Sequence, residues 1–174
     1  MSQNLENYAE SLAVDARKAG RLLALTSGRQ RYDALLAIAE ALGREADAII
    51  AANAKDLVAA EENKLTAAML DRLRLDAGRI AKMAKAVREV AEQPDPVGEI
   101  ISGWMRPNGL RIEKRRVPIG VVAIIYEARP NVTSDAAALC LKSGNACILR
   151  GGKESFHSNM AIAAIIADSL RQSG

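Results

Sequence analysis

Two short apolar runs in the second half of the chain most constrain its fold. They are residues 121–125 (VVAII) and 146–149 (ACIL). A short continuous apolar run is typical of a strand buried on both faces of a parallel sheet. Between the runs, Ser134 or Asp135 can cap a helix over residues 136–142. The sequence therefore predicts a strand, a helix and a second parallel strand, joined as one right-handed crossover unit.

Polar residues follow both predicted strands. In open parallel sheets, ligands bind beyond the carboxyl ends of the strands. We therefore expect the two sets of polar residues to form one candidate site. They are Tyr126, Glu127, Arg129, Asn131 and Thr133 after the first strand, and Arg150, Gly151, Gly152, Lys153 and Glu154 after the second.

The segment Arg150-Gly151-Gly152-Lys153 lies between a predicted strand and the start of a predicted helix. Two glycines allow the backbone to approach a ligand closely, and the free N–H groups at a helix start attract anions. With two cations beside them, these features indicate a phosphate site. The alternative is a tight turn that carries two solvated cations.

Neither common nucleotide-binding signature is present in the chain. A phosphate-binding loop of the nucleoside triphosphatase type needs glycine at position 147 and Ser or Thr at position 154. The chain has Cys147 and Glu154 there. The spaced glycines of a dinucleotide fingerprint are also missing after either strand. An ordinary Rossmann start is therefore not supported.

Asn131 is the candidate for direct chemistry after the first strand. Pro130 restrains Arg129 to an extended conformation, which would aim the next side chain reproducibly. The Asn131 amide could then donate to a developing oxyanion. The alternative is a turn asparagine bonded to its own backbone, with Glu127 and Arg129 simply paired to each other.

The cysteines and the single histidine do not form a catalytic pattern. Cys140 and Cys147 lie within apolar runs, so we expect reduced core residues with raised thiol pKa values. They are too few for a disulfide scaffold or a zinc site, and no metal is expected. His157 is expected on the surface in the first turn of a helix.

Composition narrows the classes of partner. A 49% hydrophobic fraction over 174 residues permits a core and excludes a disordered chain. Aromatic residues are only 3%, which disfavours binding of single-stranded nucleic acid by base stacking. The 24 basic and 21 acidic side chains are scattered, so the net charge of +3 creates no basic face. A polyphosphate cofactor explains local positive charge better than DNA does.

Targeting signals are not evident. The amino terminus lacks a basic-then-apolar leader, and no apolar run approaches the roughly 18 residues of a membrane span. We therefore expect a soluble, cytoplasmic protein without a membrane partner.

The first part of the chain, residues 1–96, is predicted to be helical. Helices are expected over about 5–25, 29–42, 46–60, 67–73 and 77–92 from their apolar periodicity. The first carries a stripe that should be buried, formed by Leu5, Tyr8, Ala9, Leu12, Ala16 and Ala19. Thr66 and Asp76 are the expected caps of the last two.

Residues 97–117 predict a hairpin. Strand-like runs over 99–106 and 110–116 are joined by Pro107-Asn108-Gly109, which favours a tight turn. Leu110 and Ile112 alternate with charged residues, which predicts that one face of the ribbon is exposed to solvent. This pattern is typical of an arm rather than of a core element.

A last helix is predicted over residues 155–172, with Ser155 as its cap. A parallel unit needs a following strand to cover such a helix, and none follows before Gly174. We therefore expect the 174 residues to be a fragment, a truncated protein, or one half of a fold that is assembled from two pieces.

Several segments resemble one family. The run from Pro118 to Asn159 and the helical segments AANAKDL (51–57) and MLDRLRL (69–75) are similar to the gamma-glutamyl phosphate reductase branch of the aldehyde dehydrogenase superfamily. The resemblance spans essentially the whole chain, and YEARPNVT and SGNACILRGGKE are specific to this branch.

The resemblance implies an α/β, aldehyde-dehydrogenase-like fold that is incomplete here. Residues 1–96 would be the helical part of the cofactor-binding domain and 97–117 a bridging arm that forms a homo-oligomer. Residues 118–174 would be the first βαβα portion of an NADP-binding sheet. Family members are more than twice as long, and their second half carries the catalytic domain and its nucleophilic cysteine.

The implied reaction is reduction of L-glutamyl 5-phosphate by NADPH, through a cysteine thioester, in proline synthesis. Asn131 would match the oxyanion donor, and Arg129 is a candidate substrate contact. Arg150, Gly151, Gly152 and Lys153 would contact the cofactor. Lys153 falls where NAD-preferring relatives often place a glutamate on the ribose, so its positive charge favours the extra phosphate of NADP.

This chain alone is expected to have no catalytic turnover, because Cys140 and Cys147 match packing positions of the family.

Two other hypotheses about its function stay open. The runner-up hypothesis is a truncated, non-catalytic nucleotide-binding or assembly module of the same fold. A nucleic-acid binder comes third.

Overall fold

The computed structural model describes residues 2–173 as seven helices and four strands. The helices are α1 (Ser2–Leu23), α2 (Gly28–Arg44), α3 (Ala46–Glu62), α4 (Ala67–Leu73), α5 (Ala77–Glu92), α6 (Asn131–Lys142) and α7 (Phe156–Ser173). The strands are β1 (Ile100–Met105), β2 (Arg111–Arg115), β3 (Val121–Ile125) and β4 (Ala146–Arg150), and a short 3-10 turn, Lys153–Ser155, precedes α7.

The core lies among α2, α3, α5, α6 and α7. It is aliphatic, as the composition predicts, and its fully buried side chains include Leu35, Leu42, Ile49, Ile80 and Ile162. The predicted caps are confirmed, because Thr66 Oγ1 accepts from Met69 N at 3.3 Å and Asp76 Oδ1 accepts from Arg79 N at 2.7 Å. Local side chain to backbone bonds thus define the starts of α4 and α5.

Helix α1 differs from its prediction in burial. The helix forms, but its predicted inward stripe is exposed, with Leu5 and Tyr8 retaining 68% and 67% of their accessible surface. The helix approaches the rest of the chain near Gly20, where an added Cβ would lie 2.7 Å from the Gly120 oxygen. Periodicity identifies the apolar face of a helix, but it does not specify what covers that face.

Strands β3 and β4 pair in parallel, as predicted, from Val121 opposite Ala146 to Ile125 opposite Arg150. The prediction that β3 is buried on both faces is wrong, since Ile125 is 80% exposed. Within residues 2–173 this sheet has only two strands, so each strand has an open edge.

Helix α6 begins at Asn131, five residues before the predicted start. Pro130 occupies the preceding position with φ −57° and ψ −33°, which is already helical geometry. Ser134 therefore lies inside the first turn, where its hydroxyl donates to the Asn131 carbonyl at 2.8 Å. The predicted cap at Ser134 or Asp135 is wrong for this reason. The helix ends at Lys142, as predicted, and Gly144 follows it with φ +73°.

The hairpin of β1 and β2 is confirmed and forms a separate antiparallel sheet. Gly109 N donates to Arg106 O at 2.9 Å, and Gly109 has φ +83°, which glycine adopts without strain. The expected division into one wet and one covered face is wrong for β1, because all six of its residues are exposed. The hairpin thus projects as an arm.

Candidate functional site

The carboxyl ends of β3 and β4 bring the two predicted sets of polar residues together. Tyr126 N donates to Arg150 O at 3.1 Å, which continues the pairing past β3. A Cβ at Gly151 would lie 2.2 Å from Asn159 Nδ2 and 3.0 Å from the Tyr126 ring. A Cβ at Gly152 would lie 3.0 Å from Ala128 N. The two glycines therefore allow the loops after β3 and β4 to pack together. The sequence instead suggested that glycine is needed here for close approach of a ligand.

A cleft of about 380 Å³ opens beside this packing. Its walls include Tyr126, Thr133, Phe156, Asn159 and Met160 in addition to the Arg150–Lys153 segment. Arg150 and Lys153 are exposed at its rim, and neither forms an ion pair with any residue between 2 and 173. The cleft thus offers an anionic ligand room and two cations that are not engaged in ion pairs.

A chain of hydrogen bonds runs beside the cleft. The Tyr126 hydroxyl lies 2.8 Å from Thr133 Oγ1. The Thr133 hydroxyl in turn donates to Asn159 Oδ1 at 3.0 Å. Asn159 Nδ2 donates to Ser155 Oγ at 3.0 Å, and Ser155 Oγ donates to the Gly152 carbonyl at 3.2 Å. Because the Thr133 proton goes to Asn159, Tyr126 must donate to Thr133. These bonds connect the loop after β3 to the loop after β4.

The start of α7 differs from its prediction. Ser155 is buried and bonds to Gly152 and Asn159 instead of capping the helix. The cap is Asp56 of α3, whose carboxylate accepts from His157 N at 3.0 Å and from Ser158 N at 2.8 Å. The expectation that these helix N–H groups are free for an anion is therefore wrong. The side chains of Arg150 and Lys153, which are exposed, keep that capacity.

Asp56 and its neighbour Asn53 are not among the predicted site residues, although the sequence carries a signal for both. Both are polar, and both lie on the buried face of α3 in the series Ile49, Asn53, Asp56, Ala60. These steps of four, three and four residues describe one stripe on a helix. Polar side chains within a buried stripe require partners, which the structure supplies from other elements.

Asn131 lies at the carboxyl end of β3, as predicted, but its amide has a partner. Asn131 Nδ2 donates to Asp135 Oδ2 at 3.0 Å, one turn along α6. The predicted alternative, a turn asparagine bonded to its own backbone, is therefore wrong. Burial raises the pKa of Asp135, and the bond from Asn131 opposes part of that rise. The walls of the cleft do not include Asn131.

Arg129 pairs with Glu127, which confirms the alternative interpretation of these two residues. Arg129 Nε lies 2.6 Å from Glu127 Oε1, in a geometry that does not form a hydrogen bond. Arg72 approaches the other oxygen of Glu127 at 3.8 Å. A substrate contact by Arg129 stays a prediction.

The cysteines and the histidine lie where the sequence predicts. Cys140 is buried, Cys147 is half-buried, and both are free thiols. Burial raises the pKa of both, and that of Cys147 reaches about 11. Both thiols are therefore protonated at neutral pH and are poor nucleophiles. His157 is exposed in the first turn of α7 beside the Phe156 ring.

Two negative findings apply to residues 2–173. No group of three His, Cys, Asp or Glu side chains is arranged to hold a metal ion there. No helix there combines the length and the apolar character needed to span a membrane.

Comparison with known proteins gives one family. The model described as "Aldehyde dehydrogenase family" matches residues 2–170. Curated proteins named gamma-glutamyl phosphate reductase are similar to the chain. The one from Rhodospirillum rubrum is 58% identical over 91% of this chain and 37% of its own length. The one from Geotalea daltonii is 55% identical over 94% of this chain and 39% of its own length. The chain thus spans about two fifths of the length of these relatives.

Solved structures agree with this result. A gamma-glutamyl phosphate reductase from Thermotoga maritima superposes with a TM-score of 0.90 at 42% identity, covering 92% of this chain and 39% of that one. A probable aldehyde dehydrogenase from Listeria monocytogenes has a TM-score of 0.67 at 18% identity, covering 99% and 34% of the two chains. The second match shows a shared fold alone.

Proposed function

The chain belongs to the aldehyde dehydrogenase family, and from this membership we propose that it forms the cofactor-binding part of a gamma-glutamyl phosphate reductase. The proposed reaction is NADPH-dependent reduction of L-glutamyl 5-phosphate to L-glutamate 5-semialdehyde, with release of phosphate, in proline biosynthesis. One observation carries the proposal. Five proteins of that name are 54–58% identical to the chain over 91–94% of its length.

The proposed chemistry uses a cysteine thiolate as nucleophile. The thiolate attacks the acyl carbon, phosphate leaves with the bonding electron pair, and a thioester results. NADPH, when bound, would supply the hydride that reduces the thioester; the C–S bond then breaks, which gives the aldehyde and returns the thiolate. Cys140 and Cys147 do not suit the role of nucleophile, because burial keeps their thiols protonated. We therefore assign the nucleophile to a cysteine outside residues 1–174.

The rim of the cleft suits a phosphorylated nucleotide. Arg150 and Lys153 present two exposed cations beside a cleft of about 380 Å³. A cation at Lys153 would attract the additional phosphate of NADP on its ribose, which an uncharged side chain would not. The backbone of Gly151 and Gly152 lines the same cleft. In this proposal the four residues bind the cofactor and do not take part in bond making.

Asn131 is proposed to stabilise the developing oxyanion. Its amide carries two N–H groups, and one of them donates to Asp135. The second N–H is available to a substrate carbonyl, and the bond to Asp135 would keep the amide plane from rotating. Arg129, at the same end of β3, is proposed to contact the substrate.

The hairpin arm, residues 97–117, is proposed to join copies of the protein as a homo-oligomer. Ile100, Ile101, Trp104 and Met105 retain between 46% and 64% of their accessible surface on this arm. Apolar side chains clustered on a projecting ribbon are a common feature of contact surfaces between subunits. This exposure supports the proposal.

The substitution Lys153→Glu tests the proposed cofactor contact. Reversing this charge should raise the KM for NADPH by about 10- to 100-fold, the loss expected for a hydrogen bond to a charged group. The KM for NADH should change by less than about threefold, since NADH lacks the phosphate. Steady-state kinetics on the protein that carries this chain provide both values.

Lys82→Glu is the matched control. It makes the same charge change on an exposed residue of α5, outside the walls of the cleft. It should leave both KM values unchanged. If Lys153→Glu raised the KM for NADPH and the KM for NADH by the same factor, the contact with the additional phosphate would be refuted.

A further inference from the structure

A buried carboxylate on α3 holds the start of α7. Asp56 is 3% exposed, although it lies about one hundred positions from its partners along the chain. In addition to the bonds from His157 N and Ser158 N, it accepts a bond of 2.6 Å from Ser158 Oγ. The Asp56 carboxylate thus accepts three hydrogen bonds, and its negative charge offsets the partial positive charge at the amino-terminal end of α7.

Asn53 extends this contact by one turn of α3. Its Nδ2 donates to Ser158 Oγ at 3.0 Å and to the Leu73 carbonyl at 2.9 Å, and its Oδ1 accepts from Leu75 N at 2.8 Å. Ser158 thus accepts from Asn53 while it donates to Asp56, so its hydroxyl is fully used on this side. Helix α7 is joined through Ser158 to α3 and to the segment after α4.

The opposite side of the same turn faces the cleft. There Asn159 bonds to Ser155 and Thr133, and Ser155 bonds to Gly152. The first turn of α7 is therefore bonded to α3 on one side and to the cleft loops on the other. Lys153 begins the short 3-10 turn between β4 and α7, so its position depends on where this helix starts.

We propose that Asp56 is a positioning residue for cofactor recognition, which fixes the start of α7 and thereby places Arg150 and Lys153 at the rim of the cleft. The inference rests on the proposed function of that rim. Because Asp56 occupies the N–H groups of His157 and Ser158, these two groups are not available to the additional phosphate, which the proposed function assigns to the cationic side chains. Asp56 itself touches neither substrate nor cofactor.

The substitution Asp56→Asn tests this role with little change of shape. An amide has one acceptor oxygen, and its NH₂ group would face a backbone donor, so one of the N–H bonds is lost. Trypsin cleavage at Arg150 and Lys153 should rise by about tenfold relative to cleavage at Arg111 in the hairpin, because the local loop opens more often. This measurement needs no cofactor.

Kinetics on the same variant give the second measurement. The KM for NADPH should rise by about tenfold while kcat stays within about twofold, because cofactor binding loses a positioned contact and the reacting groups are untouched. Ser158→Ala removes one of the three bonds to Asp56 and leaves both N–H bonds. Ser158→Ala should raise the cleavage at Arg150 and Lys153 and the KM for NADPH by smaller factors than Asp56→Asn does. It serves as the test if the Asp56→Asn variant does not fold.

Asp95→Asn is the control for a general loss of stability. Asp95 also accepts a backbone N–H and pairs with a distant side chain, Arg31, but it has no contact with α3 or α7. It should leave both the rate of cleavage at Lys153 and the KM for NADPH unchanged. The comparison with Arg111 does not apply to this variant, because Asp95 holds the root of the hairpin through Val97 N.

The outcomes separate the two proposals. A wild-type protein that does not bind NADPH refutes the proposed function. If the wild-type protein binds NADPH, an Asp56→Asn variant with unchanged cleavage or unchanged KM refutes the positioning role. Increased cleavage together with a raised KM supports it.

Discussion

The Asn131 amide is shared between Asp135 and, in our proposal, a reacting carbonyl. Asn131→Ala should lower kcat by about 100-fold, the usual cost of removing one oxyanion donor. The KM for NADPH should stay within about twofold, because the amide is assigned no contact with the cofactor. Steady-state kinetics on the protein that carries this chain measure both constants.

A matched control for this prediction is Asn63→Ala. Asn63 is exposed at the end of α3, and its amide bonds to the Ala59 carbonyl. Its replacement should leave kcat unchanged. If Asn131→Ala also left kcat unchanged, Asn131 would have no role as an oxyanion donor.

The helix caps show which features of the site can be predicted from the sequence. Thr66 and Asp76 were predicted as caps because each bonds to a backbone N–H three positions along the chain. The cap of α7 could not be found in this way, since Asp56 comes from another helix. Ser155 was assigned instead because it is the nearest residue of a capping type, although its hydroxyl bonds elsewhere.

Helices α2, α5 and α6 meet the root of the hairpin arm at Asp95. The Asp95 carboxylate pairs with Arg31 of α2 at 2.7 Å and accepts from Val97 N at 3.0 Å. Burial raises the pKa of Asp95, but the Val97 bond and Arg31 together lower it below the ordinary value of 3.8. Lys142 of α6 lies nearby and donates to the Ala91 carbonyl at 2.6 Å. The charge pair joins α2 to the start of the arm.

Asp95→Asn should destabilise the protein at pH 7 by about 3 kcal/mol, because it leaves Arg31 buried without its counter-charge. The pKa of the folded state lies below 3.8. The carboxylate therefore contributes its full stability above that pH, and this contribution is lost as the pH falls through the folded-state pKa. Urea unfolding at pH 7 and at pH values below about 4 should show the difference from wild type shrinking in acid.

Asp33→Asn provides the comparison for this prediction. Asp33 forms an exposed pair with Arg29 on the surface of α2. Its loss should cost less than about 1 kcal/mol at pH 7. If Asp95→Asn cost no more than Asp33→Asn, the pair with Arg31 would not stabilise the fold.

The hairpin arm gives a prediction about assembly. Trp104 lies opposite Ile112 in the ribbon and is 49% exposed. Trp104→Lys should dissociate the proposed oligomer or weaken it by at least about tenfold, because a charged side chain is costly to bury in a subunit contact. Sedimentation velocity over a range of protein concentrations would detect the change.

Lys114→Ala is a suitable control for the arm, because Lys114 is an exposed charged residue of β2. It should leave the sedimentation coefficient unchanged. A Trp104→Lys protein that sediments like wild type would remove the arm from the proposed contact.

On the scale of the whole molecule, the proposal predicts that residues 1–174 produced alone do not reduce L-glutamyl 5-phosphate. Both of their thiols have raised pKa values, and neither suits nucleophilic attack. Oxidation of NADPH followed by absorbance would measure turnover, with the protein that carries this chain as the positive control. Turnover by residues 1–174 would contradict the assignment of the nucleophile.

The runner-up hypothesis, a non-catalytic module, also belongs to this scale. The intact mass of the native product separates the two hypotheses. A product of 174 residues would favour the module, and a longer one with a further cysteine would favour the enzyme.

Local patterns along the chain predict the order and type of the helices and strands. Periodicity, caps, prolines and the Asn-Gly turn act over a few neighbouring residues, so the five amino-terminal helices, the hairpin and the parallel pair were all predicted. The sequence also predicted that the Arg150–Lys153 segment lies beside the residues after β3, because strand direction places both at one edge of the sheet. The family resemblance rested on the same local segments.

The packing of the helices and strands, in contrast, establishes which faces are covered and which polar groups already have partners. The α1 stripe and β3 have apolar patterns, but most of the stripe is exposed and β3 is only half-buried, because burial depends on neighbours that a local pattern does not specify. The N–H groups of α7 are occupied by Asp56, about one hundred positions earlier. A hydrogen bond between such distant residues depends on how α3 packs against α7, and no local rule contains that information.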